Sequence, residues 1–407
     1  MNCRHCNAAL DQQVIDLGHQ PASNAYLSAA QLEGTEAYAP LQVYVCHQCW
    51  LVQIPSFHAS HELFTADYAY FSSISQSWLA HAKAYVGKVV DRFKLGSDDW
   101  VVEVASNDGY LLQYVAEHGI KCSGIEPTAS TAAAARAKGI ESIERFFGTE
   151  LARELVAERG HASLTAANNV LAHVPDINDF VAGFAILLAP EGVATFEFPH
   201  LVNLIDGCQF DTIYHEHYSY LSLTAVAKIF ASQGLRIFDV EEVPTHGGSL
   251  RVYACRAGAS HPASSAVQAM LTREQTAGVT DPAWYARLAA EAERIKLDLL
   301  EFLISARRNG RRVAAYGAAA KGNTLLNYAG VRADLVDFVC DAAPSKQGRF
   351  LPGSHVPVLA PTALAEHKPD FVLILPWNIA AEVLASQGHI ADWGGKFLVA
   401  VPALKFL

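Results

Sequence analysis

Apolar residues in this chain fall into short unbroken runs separated by amphipathic stretches, and the alternation occurs twice. Residues 100–105, 120–126, 163–167 and 192–198 are apolar enough to predict strands buried on both faces. Between them, stretches opening at Tyr110 and spanning 132–138 and 176–188 predict helices. A second series follows a long helix predicted over 282–309, with strands at 312–317, 335–341 and 371–376 and a helix opening at 318–324. Such alternation predicts the α/β class, with two doubly wound, Rossmann-like parallel sheets that bind ligands at the carboxyl ends of their strands. The first 66 residues lack the pattern and predict a small hairpin-rich module. The expected division is 1–66, 67–240 and 241–407.

A chain of 407 residues, 51% of them apolar, has material for two or three cores. Its formal net charge of −11 argues against a nucleic-acid partner, which needs a concentrated Lys/Arg surface. It leaves room for an anionic small molecule held by a few local donors. No apolar run reaches the roughly 18–20 residues of a membrane span, and the start has no signal-peptide core. A cytoplasmic enzyme without membrane association is expected. Nothing points to a protein partner, and a monomer is expected.

Four of the eight cysteines form two Cys-x-x-Cys pairs, Cys3 with Cys6 and Cys46 with Cys49, while the others are scattered in apolar surroundings. In a reducing compartment that split reads as one metal site plus core thiols. Four thiolates at about 2.3 Å suit tetrahedral zinc and leave no open position. The ion is therefore expected to be structural and to supply folding energy to the module. Redox dithiols and an iron–sulfur cluster are other readings of the same spacing.

The first turn of the central sheet runs Glu103-Val104-Ala105-Ser106-Asn107-Asp108-Gly109. A dinucleotide would want Gly-x-Gly-x-x-Gly there, letting the backbone approach a pyrophosphate. S-adenosylmethionine has no pyrophosphate and suits an acidic, glycine-poor turn better. Glu103, Ser106, Asn107, Asp108 and Gly109 are expected to line it, together with Asn169 after the fourth strand. Glu126, ending the second strand, is placed to accept from its ribose hydroxyls. A helix N-cap at Asp108 and a solvated strand end at Glu126 are the structural alternatives.

Tyr214-His215-Glu216-His217-Tyr218 crowds proton-transfer groups into one stretch, which is expensive to bury without a purpose. It is not a zinc-protease signature, because the second histidine stands at the wrong spacing. His173 follows the fourth strand, and Tyr68 lies between the first two units, where it could close over a cleft. In the third unit, Gly317-x-x-x-x-Gly322 differs from a P-loop because Lys321 precedes the second glycine. A helix N-terminus with Gly317, Lys321, Gly322 and Asn323 still predicts a diphosphate site. The tight turn leading to Ser249 and Arg251 is a second candidate contact.

In their order, the cysteine pairs, 67–73, 103–109, 169–176, 214–222 and 316–323 resemble the nucleotide-sugar C-methyltransferases, dTDP-sugar C-3 methyltransferases in particular. The resemblance spans almost the whole chain. It implies methyl transfer from S-adenosylmethionine to a carbon beside the ketone of a dTDP- or GDP-linked 4-keto deoxysugar, C-3 favoured, through an enolate in branched-sugar biosynthesis. It implies His217 as general base and Glu216 as the group orienting the substrate or the imidazole. Tyr68, Tyr214 and His173 would donate to the enolate or neighbouring sugar oxygens, and the zinc would take no part. The competing class is a NAD-dependent sugar-nucleotide oxidoreductase or dehydratase, disfavoured because neither sheet has the dinucleotide glycines. A non-catalytic zinc scaffold would leave residues 214–218 unexplained.

Overall fold

The computed structural model describes residues 1–57 and 71–407. Three sheets organise them. The first has the order β1-β2-β3-β9, built antiparallel from Gln12–Gln20 (β1), Ala39–Val45 (β2), Val52–Gln53 (β3) and Ser219–Tyr220 (β9). Its last strand is thus the continuation of the histidine-rich segment.

The central sheet comprises Trp100–Val104 (β4), Lys121–Ile125 (β5), Ser142–Ile143 (β6), Ala162–Asn168 (β7), Leu188–Pro199 (β8), Leu235–Val243 (β10) and Ser249–Arg256 (β11). Its order is β10-β11-β8-β7-β4-β5-β6. Strands β4 to β8 run parallel, and β11 is antiparallel to both its neighbours. The chain winds outward in both directions from β4, so a crevice opens at the carboxyl ends of β4 and β7. The expected division at residue 240 falls inside β10. Strand β11 belongs to this sheet because seven of its eight residues are buried, which only an interior strand permits.

The third sheet, ordered β14-β13-β12-β15-β16-β17, contains Val313–Tyr316 (β12), Val339–Cys340 (β13), Val358–Leu359 (β14), Phe371–Ile374 (β15), Lys396–Val399 (β16) and Lys405–Phe406 (β17). All pairings are parallel except that of β17. The helix Pro282–Arg308 leads into it, started by Asp281, whose side chain accepts from the Ala283 amide, and by Pro282 in the first turn. Tyr285, Leu288, Ala292, Ile295, Leu299 and Leu303 repeat every three or four residues and form its buried stripe. They share one core with Val14, Ile15 and Leu41 of the first sheet and Val313 and Leu373 of the third. The cysteine end of the first unit packs instead into the core of the central sheet. Among the described residues, no helix is long and apolar enough to cross a membrane.

Candidate active site and zinc centre

The four cysteines of the paired motifs meet, all four sulfurs lying within 4.8 Å of one another. The Cys3–Cys49 and Cys6–Cys46 sulfurs are 3.5 Å apart, close to the separation of about 3.8 Å that tetrahedral zinc with 2.3 Å bonds requires. The donor set therefore fits the ion. Gln53 Nε2 donates to Cys3 Sγ at 3.2 Å, an outer-shell contact to a ligand. The same knuckle is stapled to the central unit. Arg4 donates to the carbonyls of Pro175 and Ile54, and His5 and Asn178 exchange two hydrogen bonds. The Ile54 amide donates to the Tyr218 carbonyl at 3.1 Å, so the metal-bound module grips the end of the histidine-rich loop.

At the carboxyl ends of β4, β5 and β7 the backbone takes unusual shapes. Ala105, Asn107, Gly109 and Asn169 all have positive φ, the left-handed region that keeps a turn tight. Glu126 closes this turn: its carboxylate accepts from the Asn107 and Thr128 amides at 2.9 and 3.0 Å. The Asn107 side chain accepts from the Ser72 amide, and Lys138 bridges Ser73 and Asp108. The end of the segment 67–73 therefore rests on the turn. Tyr68 lies outside the described residues.

Around this crevice Ser106 Oγ, Asp108 Oδ1, Asn168 Oδ1 and Asn169 Oδ1 are buried without a hydrogen-bond partner among the described residues, and the buried Glu103 carboxyl faces the Tyr110 hydroxyl. Buried polar atoms are normally satisfied, so a concentration of acceptors here fits a ligand bearing an ammonium, hydroxyls and a sulfonium. That is the chemistry of S-adenosylmethionine. Burial pushes the Glu103 carboxyl well above the usual carboxylate range, opposed by the Tyr110 hydroxyl. Trp78 forms a wall, stacking with Tyr110 and tilting against His246 at 5.4 Å.

The reacting loop lies beyond. His217 Nδ1 sits 2.8 Å from the Thr212 carbonyl, which can only accept, so Nδ1 carries the proton and Nε2 keeps its lone pair. His173 Nδ1 is held in the same way by the Glu216 carbonyl at 2.8 Å. The two rings meet edge to face at 4.6 Å, and Tyr214 lies over His217 at 4.0 Å. Burial, then the neighbouring His173, holds His217 well below the ordinary imidazole value, and burial lowers His173 to about 4. Both rings are therefore neutral near pH 7. Glu216 orients His173 through its main chain, while its buried carboxylate accepts from Asn24 Nδ2 at 2.7 Å.

Most of the residues expected around a diphosphate have partners within the protein. Asn323 is fully buried and donates to the Ser23 carbonyl, and Gly322 is pressed against Leu375, where a Cβ would come within 2.6 Å. Gly317 is packed on Pro376. Ser249 donates to the Thr245 carbonyl, and the buried Arg251 guanidinium is committed to Glu197 and Glu241 at 2.5 and 3.0 Å. Asn323 ties the third unit to the first, while Arg251 and Ser249 bond within the central unit. Lys321 lies on the face of Trp377 and donates to Asn378.

The candidate turn before Ser249 also holds His246, not singled out from the sequence, whose Nε2 lies 3.3 Å from Asn169 Nδ2 and which burial lowers to about 4. Its position in the Thr245-His246-Gly247-Gly248 turn was the available signal in the sequence; in the structure its φ is +54°. Asp211 and Trp377 were also missed.

A crevice at the strand ends lined with orphaned acceptors, with a buried histidine pair beside it and a four-cysteine module gripping the histidine-rich loop, defines an S-adenosylmethionine-dependent methyltransferase with a zinc-binding domain. Family models agree: a zinc binding domain matches residues 3–64, a methyltransferase domain 78–240 and a C-methyltransferase C-terminal domain 244–402. The chain is 36% identical to the C-methyltransferase NovU of Streptomyces niveus over 400 residues, 98% of this chain and 95% of that one. It belongs to the C-methyltransferase family. Among solved structures, magnesium protoporphyrin IX methyltransferase from Synechocystis aligns with 45% of this chain and 82% of its own at 15% identity and a TM-score of 0.35. A methyltransferase from Anabaena variabilis aligns with 44% and 86% at 13% identity and a TM-score of 0.36.

Proposed function

We propose that the protein methylates carbon next to the ketone of a nucleotide-linked 4-keto deoxysugar, C-3 favoured, through an enolate. The nucleotide is dTDP or GDP, and the enzyme acts in the cytoplasm as a monomer. The observation that carries this reading is the tautomer of His217: with Nδ1–H given to the Thr212 carbonyl, Nε2 is a neutral base. Carbon becomes nucleophilic only after such a base removes a proton made acidic by an adjacent carbonyl. Tyr214 and His173 flank the base, where they can contact the sugar oxygens. Tyr68 joins them in this reading.

Bound S-adenosylmethionine supplies an electrophilic methyl group. Glu103, Ser106, Asn107, Asp108, Gly109, Glu126 and Asn169 hold it, with Glu126 toward the ribose. Lys321 brings a cation to this side of the cleft. Mass spectrometry of dTDP- and GDP-linked 4-keto sugars incubated with the enzyme and S-adenosylmethionine tests the proposal. One methyl mass gained on a keto sugar is expected, and no gain on any member of the panel would sink the substrate assignment.

A further inference from the structure

Two neutral histidines and a tyrosine supply a base and hydrogen bonds but no positive charge. Removing a proton beside a ketone places a full negative charge on oxygen, and in a water-poor cleft that charge needs an answer. The C-terminal unit brings one to the reacting loop. The helix Ala320–Ala329 carries Lys321 in its first turn. One turn later, Thr324 Oγ1 donates to the Ile213 carbonyl at 2.8 Å, pinning the helix start to the loop. The preceding residue, Thr212, is the one whose carbonyl holds His217.

Before it, the fully buried Asp211 carboxylate accepts from Trp377 Nε1 at 2.8 Å through Oδ2. The face of Trp377 carries the Lys321 ammonium 4.5 Å from the ring centre, and Lys321 Nζ donates to Asn378 Oδ1 at 3.0 Å. An indole face and an amide oxygen are both neutral, and the Asp211 carboxylate acts on the ammonium through space without a direct ion pair, so its charge can also answer a substrate anion. Electrostatics reflects the same proximity: burial raises the Asp211 carboxyl and the Lys321 charge opposes that rise, while burial lowers His217 and His246 and the Lys321 charge adds to it.

We infer that Lys321 is the countercharge of the enolate oxygen, and that Trp377, Asp211 and Asn378 are positioning residues that hold its ammonium at the reacting loop. The inference rests on the keto-sugar reading above. In the step, the C–H electron pair becomes the new C=C bond, the carbonyl π pair moves to oxygen beside Lys321, and the proton passes to His217 Nε2. Nothing is oxidised or reduced.

The test reads deprotonation separately from transfer. dTDP- and GDP-linked 4-keto-6-deoxyhexoses are incubated with the full-length enzyme in D2O, with S-adenosylhomocysteine in place of the methyl donor. Deuterium uptake beside the ketone is followed by mass spectrometry, and binding of dTDP and GDP alone by calorimetry. Lys321→Met is expected to slow exchange at saturating sugar by about 100-fold or more, the loss typical of a missing oxyanion donor. Nucleotide affinity should stay within about threefold, a difference under 1 kcal/mol.

Lys321→Arg should recover part of the exchange. Trp377→Phe, which keeps the ring face but drops the N–H to Asp211, should lose roughly tenfold through misplacement of the cation. These two variants carry the test if Lys321→Met does not fold. Exchange intact at saturating sugar, with nucleotide binding weakened instead, would make Lys321 a diphosphate ligand and overturn the inference alone. Methylation by the unsubstituted enzyme without exchange would also overturn it, since no enolate would then form independently of transfer. Neither exchange nor methylation on any keto sugar would bring down the substrate reading and this inference together.

Discussion

His217 shows how much of a base's behaviour is set by one carbonyl and one neighbour. The Thr212 oxygen chooses its tautomer, and burial beside His173 keeps it neutral. An exposed imidazole would protonate near pH 6.5, stopping base catalysis below that point. Here the folded value is depressed, so the neutral form persists as pH falls. The acid limb of kcat/KM should therefore lie clearly below pH 6.5; a limb at about 6.5 would contradict the buried, paired arrangement. Stability should move the other way. His173 and His246 titrate at about 4 when folded, so they disfavour the native state increasingly as pH falls from about 6.5 toward 4. Asp211, raised to about 6, works in the opposite sense, its contribution lost as pH rises from about 4 through 6. Replacing His217 by Asn should reduce methyl transfer by about 100-fold or more while S-adenosylmethionine binding, measured by calorimetry, stays unchanged.

At the level of elements, the short pairing of β3 with β9 matters beyond its two residue pairs. It joins the zinc knuckles to the strand that ends the histidine-rich loop, and Arg4 reinforces the join by donating to the Ile54 and Pro175 carbonyls. Four thiolates leave a zinc ion no open position for chemistry, and through this join the module is placed to set the loop's position. Zinc removal by chelation, or Cys46→Ser, should lower Tm and activity together, with one zinc per chain measured in the intact protein by atomic absorption. Activity that survives complete loss of zinc would separate the module from the loop. Arg4→Met, which leaves two carbonyls unpaired, should destabilise by roughly 3 kcal/mol in a denaturant titration, because charged hydrogen bonds are worth about 1.5–3 kcal/mol each.

Across the whole molecule the three sheets are less independent than their sequence patterns. Residues 23–26 stitch them: Asn323 donates to the Ser23 carbonyl, Asn24 to Glu216, and Tyr26 to the Ala318 carbonyl. Strand β11 completes the central sheet from beyond residue 240, and Glu274 on the following helix accepts from the Leu223 and Thr224 amides and from His200. A chain ended at residue 243 should therefore fail to give a soluble monomer on size-exclusion chromatography. It would expose the β8 edge and leave His200 and the helix Leu223–Ser232 without their partner. A folded, monomeric truncation would show that the central unit is self-sufficient.

Much of this was legible locally. Cys-x-x-Cys spacing determines which thiolates can share an ion, because the two ligands of each pair sit in one turn. Buried apolar runs determine the two α/β series, and the single glycine of the 103–109 turn already disfavoured a dinucleotide. These are short-range properties, written in neighbouring residues. Tertiary structure alone decided what Arg251, Asn323 and Ser249 do, since a side chain's partners depend on what packs against it: two carboxylates, a carbonyl of the first unit, and a turn of its own strand's approach. It alone placed β11, and it alone brought Trp377 against Asp211 and Thr324 against Ile213, more than a hundred positions earlier, so that Lys321, on the face of Trp377, stands by the histidine-rich loop.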